Sequence, residues 1–298
     1  MVFSFPIGAY LFFDSQIGAD INYGYPFSGF ELIKNFGLKL TGFEIADIFI
    51  AVWVFFLVIF TISALGPKKN FLKVLSAIMA GSNSIQNGNY LVQVIKWFSI
   101  LIVLSEITDM IQQGVGVKIT APPFQNDLLQ FFDITFAPII EETGFRLILI
   151  GIPLFLLYSQ KSSVKLFFKS LWNPNNLSIN NSKKAIILVV IVGAFFGVSH
   201  IVSDQSWSNG KLAQATIIGI IIGWVYYRYG FVASTLIHWS TNYLIYSYGY
   251  LVSSVNEVPI SDAFSNSLLG TIEILLVVTG TLSIFMLLIE HRQKKLEI

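Results

Sequence analysis

The sequence predicts an all-α protein, a polytopic transmembrane helical bundle of about seven spans. Three observations predict it. The composition is 54% hydrophobic and only 12% charged, where soluble domains carry about 25% charged residues. Seven apolar runs approach the length of about 20 residues that a hydrocarbon core demands. Lysine and arginine are also shared unequally between the segments that join those runs.

The runs lie near residues 47–66, 90–112, 128–158, 185–203, 211–229, 231–250 and 268–289. The third is too long for one straight span and contains Pro138 and Pro153, which predict a kink or a broken helix. Residues 1–13 are apolar but short for a span, and would form an interfacial or re-entrant eighth element. No basic stretch precedes them and no small-residue cleavage pattern follows, so they do not read as a signal peptide. The chain falls into an N-terminal region (1–126), a polar-residue-bearing core (127–250) and a last span with a basic tail (251–298).

With seven spans, Lys68, Lys69, Lys73, Lys161, Lys165, Lys169, Lys183, Lys184, Arg228, Arg292, Lys294 and Lys295 fall on one side. Only Lys34, Lys39, Lys118 and Lys211 fall on the other, while Lys96 and Arg146 lie within spans. Twelve against four places the C-terminus in the cytoplasm. Without a targeting signal, the expected location is the plasma membrane of a prokaryote. Lipid is then the first partner.

Residues 161–184 alternate lysines with Leu166, Phe167, Phe168, Leu171 and Trp172, the pattern of an amphipathic helix on the membrane surface. Residues 70–80 suggest a second, and 173–183 a plain polar loop. Ala215, Gly219 and Gly223, like Gly193 and Gly197, recur every four residues, which lets helix backbones pack closely within the bundle. The absence of cysteine excludes disulfides, thiolate metal sites and a cysteine nucleophile. A net charge of +1 gives no reason to expect nucleic acid. Nothing in the sequence sets the oligomeric state.

Ionisable groups inside spans are expensive and mark function. Lys96 is near a span end and can snorkel. Four segments stand out beside it, the last being Arg228 with Tyr226, Tyr227 and Tyr229, which reads as a cytoplasmic interface anchor. In Glu141-Glu142-Thr143-Gly144-Phe145-Arg146, Glu142 and Arg146 are four apart on one helical face and can pair. Glu141 is turned about 100° away, free to face something else and to act as a general base. The second segment is Phe196-Gly197-Val198-Ser199-His200. In the third, His238 and Asn242 share a face and supply two hydrogen-bond donors suited to an oxyanion.

Together, Glu141-Glu142-x-x-x-Arg146, Phe196-x-x-x-His200 and His238-x-x-x-Asn242 resemble the three signature motifs of the CAAX protease and bacteriocin-processing family, whose best known branch is the type II CAAX prenyl endopeptidases. The resemblance covers about residues 127–250. It implies an intramembrane endopeptidase in which Glu141 and His200 activate water and His238 and Asn242 hold the oxyanion. Glu142 and Arg146 would brace the site, and Phe196 would pack beside it. The substrate would be a peptide or, in the CAAX branch, a prenylated protein tail.

No cofactor is favoured. A zinc-dependent version of the same chemistry would use Glu141, His200 and His238 as ligands. The same ionisable residues would also suit a proton-coupled transporter or a catalytically silent immunity or scaffold protein. Depth is the difficulty. At about 1.5 Å per residue, and with the third span ending near residue 150, Glu141 and His238 lie at similar depths but His200 lies much deeper.

Overall fold

A computed structural model describes residues 1–18, 24–27, 42–80, 89–120, 126–160, 163–179, 182–202 and 207–296. Lys34, Lys39 and Lys161 of the charge count lie outside the described residues, as do the side chains of Lys294 and Lys295. Among the described residues the regular structure is helical: α1 (Ser4–Phe13), α2 (Ile45–Leu65), α3 (Phe71–Met79), α4 (Tyr90–Gly114) and α5 (Asp127–Glu141) come first. A π-helical segment (Glu142–Gly151) leads into α6 (Ile152–Tyr158). Then come α7 (Val164–Trp172), α8 (Lys183–Val202), α9 (Lys211–Tyr229), α10 (Phe231–Asn256), the short α11 (Ile260–Ala263) and α12 (Ser267–Leu296).

Each of the seven expected spans is matched by a helix or a continuous helical run. Four helices are long and apolar enough to cross a membrane, by length and composition: α2, α4, α8 and the Ser267–Arg292 part of α12. The protein is an integral membrane helical bundle. The run α5–α6 and helices α9 and α10 carry many of the polar side chains of the chain's middle third, which dilutes their hydropathy. α1 is the expected eighth element. Its ten residues extend about 15 Å, half of the roughly 30 Å hydrocarbon thickness.

The third span does not break. Pro138 sits inside α5 and Pro153 in the first turn of α6. Between them the hydrogen-bond register widens, so that the Ile152 N–H reaches the Leu147 carbonyl five residues back. The chain takes up the two missing proline donors without losing helical continuity, and the run extends to Tyr158. In that run Glu141 lies 17 residues from Tyr158, as His200 lies 17 residues from Lys183, whereas His238 lies seven residues from Phe231.

Two compact units are each assembled from separated segments. The first takes Met1–Phe60, Pro123–Ile139 and Trp239–Ile272. Its interior is aromatic: Phe12 stacks on Phe49 at 4.0 Å, Trp239 on Phe56 at 4.8 Å and on Tyr243 at 4.4 Å. Trp53 anchors α1 by donating from Nε1 to the Phe5 carbonyl at 3.0 Å.

The second unit takes Thr61–Pro122, Ile140–His238 and Glu273–Ile298. Its centre is the α8–α9 hairpin, and the small-residue pattern explains the close approach. A Cβ on Gly193 would stand 2.7 Å from the Ile220 nitrogen, and one on Gly197 would stand 2.9 Å from the Leu212 carbonyl oxygen. On α9, a Cβ on Gly219 would meet the Gly193 carbonyl oxygen at 2.9 Å. Ala215 is buried in the same row. Lys96 of α4 reaches Glu290 of α12 at 4.0 Å, which gives this in-span cation a partner.

Both expected surface helices form. Asn70 caps α3 by accepting from the Lys73 N–H at 2.9 Å, and Ser163 caps α7 by accepting from that of Leu166 at 3.4 Å. α7 exposes Val164, Phe168 and Trp172 together with its lysines. The segment that follows is not a plain polar loop. Pro174–Leu177 is a 3-10 turn, and Asn175 donates to the Arg228 carbonyl at the end of α9. Tyr226 donates to the Leu171 carbonyl at 2.8 Å, so α7 is fastened to the second unit.

Candidate active site

Glu141 ends α5 and Glu142 opens the π segment, so the pair sits where the helical register changes. Arg146 follows within the π segment. Its Nε lies 3.3 Å from Glu142 Oε1, and the two side chains are only 1% and 0% exposed. That is the pairing expected from the i, i+4 spacing. It offsets the cost of burying two charges, which neither could sustain alone.

α10 brings His238 to both carboxylates. Its Nδ1 stands 2.8 Å from Glu142 Oε1 and its Nε2 stands 3.5 Å from Glu141 Oε2. Glu142, held by Arg146, is the acceptor, so Nδ1–H of His238 is the donor. Nε2 is then the nitrogen turned toward Glu141. Glu141 keeps 27% of its side chain exposed, where Glu142 has none. The two neighbouring carboxylates therefore have different surroundings. One is locked among ions and the other is accessible.

α8 contributes Phe196 and His200. The Phe196 ring is the centre of the packing: the Arg146 guanidinium lies 4.8 Å from its centroid. The rings of His200, Phe145 and His238 follow at 4.6, 4.9 and 5.7 Å. A guanidinium over an aromatic face is held by the ring quadrupole, most strongly where water is excluded. His200 donates from Nδ1 to the Phe196 carbonyl at 2.8 Å. A carbonyl can only accept, so the neutral ring presents its Nε2 lone pair outward.

Six of the seven residues singled out in the sequence thus gather in the second unit: Glu141, Glu142, Arg146, Phe196, His200 and His238. Asn242 lies four residues beyond His238 on α10, half-buried, in the part of that helix that belongs to the first unit. Among the described residues no group of three or more His, Cys, Asp or Glu side chains is arranged to hold a metal ion.

Lys211 is a site neighbour that sequence reasoning missed. As the first residue of α9 it counted among the loop cations. In the structure its Nζ lies 4.2 Å from the ring centroid of Trp207, whose backbone N–H donates to the His200 carbonyl at 3.0 Å. The only sequence signal was its place, one short loop after His200.

Residues 125–244 match the family model of Rce1-like proteins, described as type II CAAX prenyl endopeptidase Rce1-like. The matched stretch is about two fifths of the chain and contains all seven of these residues. This stretch is therefore similar to Rce1-like proteins, as the three motifs led one to expect. No curated protein and no solved structure matches the chain.

Proposed function

We propose that the protein is an intramembrane endopeptidase that hydrolyses a peptide bond with water activated by Glu141 and His200. The observation that carries this reading is the contact of His238, from a separate helix, with both members of the Glu141–Glu142 pair. A purely structural ion pair needs Glu142 and Arg146 alone. It gives no reason for a second, accessible carboxylate facing a histidine.

In this reading the attacking water lies between the Glu141 carboxylate and the His200 Nε2 lone pair. Glu141 takes its proton as the oxygen adds to the scissile carbonyl. The carbonyl electron pair moves onto oxygen, where His238, protonated on both ring nitrogens so that Nε2 also donates, and Asn242 stabilise the charge. Collapse of the tetrahedral intermediate expels the amine, which receives the proton from Glu141. Glu142 and Arg146 do not touch the reacting atoms. They fix His238 through its Nδ1, and Phe196 holds the Arg146, His200 and His238 side chains in one cluster.

The similarity to Rce1-like proteins supports a peptide or protein tail as the substrate, with prenylated C-terminal tails first. We place the C-terminus in the cytoplasm from the twelve-to-four cation bias. His200 lies two residues from the end of α8, and His238 lies seven residues from the start of α10. The test is cleavage by the purified full chain of a fluorogenic farnesylated C-terminal peptide and its unprenylated twin. Cleavage of the farnesylated peptide alone supports a CAAX-type protease. Equal cleavage of both removes the prenyl requirement, and cleavage of neither removes the proposed activity on such tails.

A further inference from the structure

Helix α7 presents an outer face of two kinds. Val164, Phe168 and Trp172 fall on successive turns and are 75%, 64% and 43% exposed. Lys165 and Lys169, each one residue further round the helix, are exposed beside them. An apolar row that ends in tryptophan and is edged by lysines suits a bilayer interface. Its apolar side chains enter the acyl boundary while the ammonium groups stay at the level of the phosphates.

The helix cannot hide that face by rolling. Ser170 is buried, and the Phe167 ring packs edge-on against Phe155 of α6 at 5.1 Å. The Tyr226 hydroxyl donates to the Leu171 carbonyl at 2.8 Å, and Asn176 Nδ2 donates to the Lys169 carbonyl at 2.9 Å. Gly151, the last residue of the π segment, makes room for Leu171, since a Cβ there would stand 2.8 Å from the leucine Cδ2. The two adjacent phenylalanines have the same chemistry, and this seating turns Phe167 to the neighbouring helix and Phe168 outward.

Neither lysine has a carboxylate partner among the described residues, where ion pairs engage Lys96, Arg146 and His238. From Thr143 to Asn256 the sequence holds one acidic residue, Asp204, which follows α8. The 3-10 turn after α7 is tied through Asn175 to the end of α9, where Arg228 is exposed as well. We propose that α7 is a docking site for the anionic phospholipid headgroups of the membrane surface. Lys165 and Lys169 meet the phosphates, and Val164, Phe168 and Trp172 enter the acyl boundary. Charge complementarity selects this occupant. The cation bias puts α7 on the cytoplasmic side, where the leaflet surface is negative. The proposal is independent of the proteolytic reading.

The test uses the full chain, which has no cysteine of its own, with Val164→Cys carrying a nitrobenzoxadiazole fluorophore. The protein is reconstituted in phosphatidylcholine bilayers doped with either phosphatidylglycerol or phosphatidylcholine that bears a spin-label quencher on its acyl chain. At equal doping, the labelled phosphatidylglycerol should be at least about 5-fold more effective, the enrichment that one lysine near an anionic surface supplies. Adding Lys165→Gln and Lys169→Gln should remove most of that preference, and Lys165→Arg with Lys169→Arg should keep it. Quenching by phosphatidylcholine in the glutamine variant reports that α7 still lies on the bilayer. Equal quenching by the two lipids in the chain with both lysines, or a preference unchanged by the glutamines, overturns the proposal. Quenching by neither lipid takes α7 off the bilayer, overturns the proposal and assigns the face to a protein partner.

Discussion

One oxygen of Glu142 serves two cations or donors at once: Oε1 stands 2.8 Å from His238 Nδ1 and 3.3 Å from Arg146 Nε. Removing that carboxylate leaves a buried guanidinium and a buried imidazole without their acceptor. Glu142→Ala should therefore destabilise the fold by about 3–5 kcal/mol, the usual cost of stranding one partner of a buried pair. It should also lower activity through loss of His238 orientation. Thermal unfolding of the purified variant checks this, and a Tm equal to wild type would contradict the shared-acceptor arrangement.

Helix approach predicts a contrast between two glycines. A Cβ on Gly193 would meet the Ile220 nitrogen and Cα at 2.7 and 2.8 Å, whereas one on Gly144 would meet nothing within 4 Å. Gly193→Ala should cost about 1–3 kcal/mol by forcing α8 from α9. Gly144→Ala should be neutral or slightly stabilising, since alanine is the better helix former. Equal Tm values for the two variants would contradict the close packing of the hairpin.

Much of the fold was legible in sequence because lipid imposes long apolar runs. The helices begin and end within a few residues of those runs in most cases, as α4 and α9 illustrate. The Glu142–Arg146 pair was legible because four residues make one helical face in any register near the α-helix. The π register was not. Two prolines signal lost donors, but whether the chain breaks or widens its turn is decided by what packs around it. Nor was the site's reliance on Phe196 as a common seat for Arg146, His200 and His238 visible, because those contacts join residues far apart in the chain. Lys211 was hidden for a different reason. A charge at the first residue of an apolar run looks the same whether it faces water or an active site.

Asn242 is the one proposed catalytic side chain that lies beyond His238 on α10. As an oxyanion donor it should contribute about 10²-fold to turnover. Asn242→Ala is expected to lower kcat by that factor with little change in Tm. An unchanged kcat would remove Asn242 from the mechanism and leave His238 as the sole proposed donor.

The chain contains no cysteine, so a single introduced thiol reports topology cleanly. Lys165 and Asn209 are both exposed and lie at opposite ends of the α8 helix in sequence order. With the basic loops inside, an impermeant maleimide added to intact cells should label Asn209→Cys and spare Lys165→Cys. The reverse pattern would invert the chain and turn the His200 end of α8 toward the cytoplasm.

Glu141 is the proposed general base, and it differs from Glu142 in being partly exposed and in facing Nε2 of His238. The direct measurement is cleavage of the farnesylated peptide by Glu141→Gln, with its Tm recorded beside it. Turnover should fall by at least about 10²-fold at a Tm close to wild type, because glutamine keeps the shape but cannot take the proton. Wild-type turnover in a folded Glu141→Gln protein would contradict the general-base role.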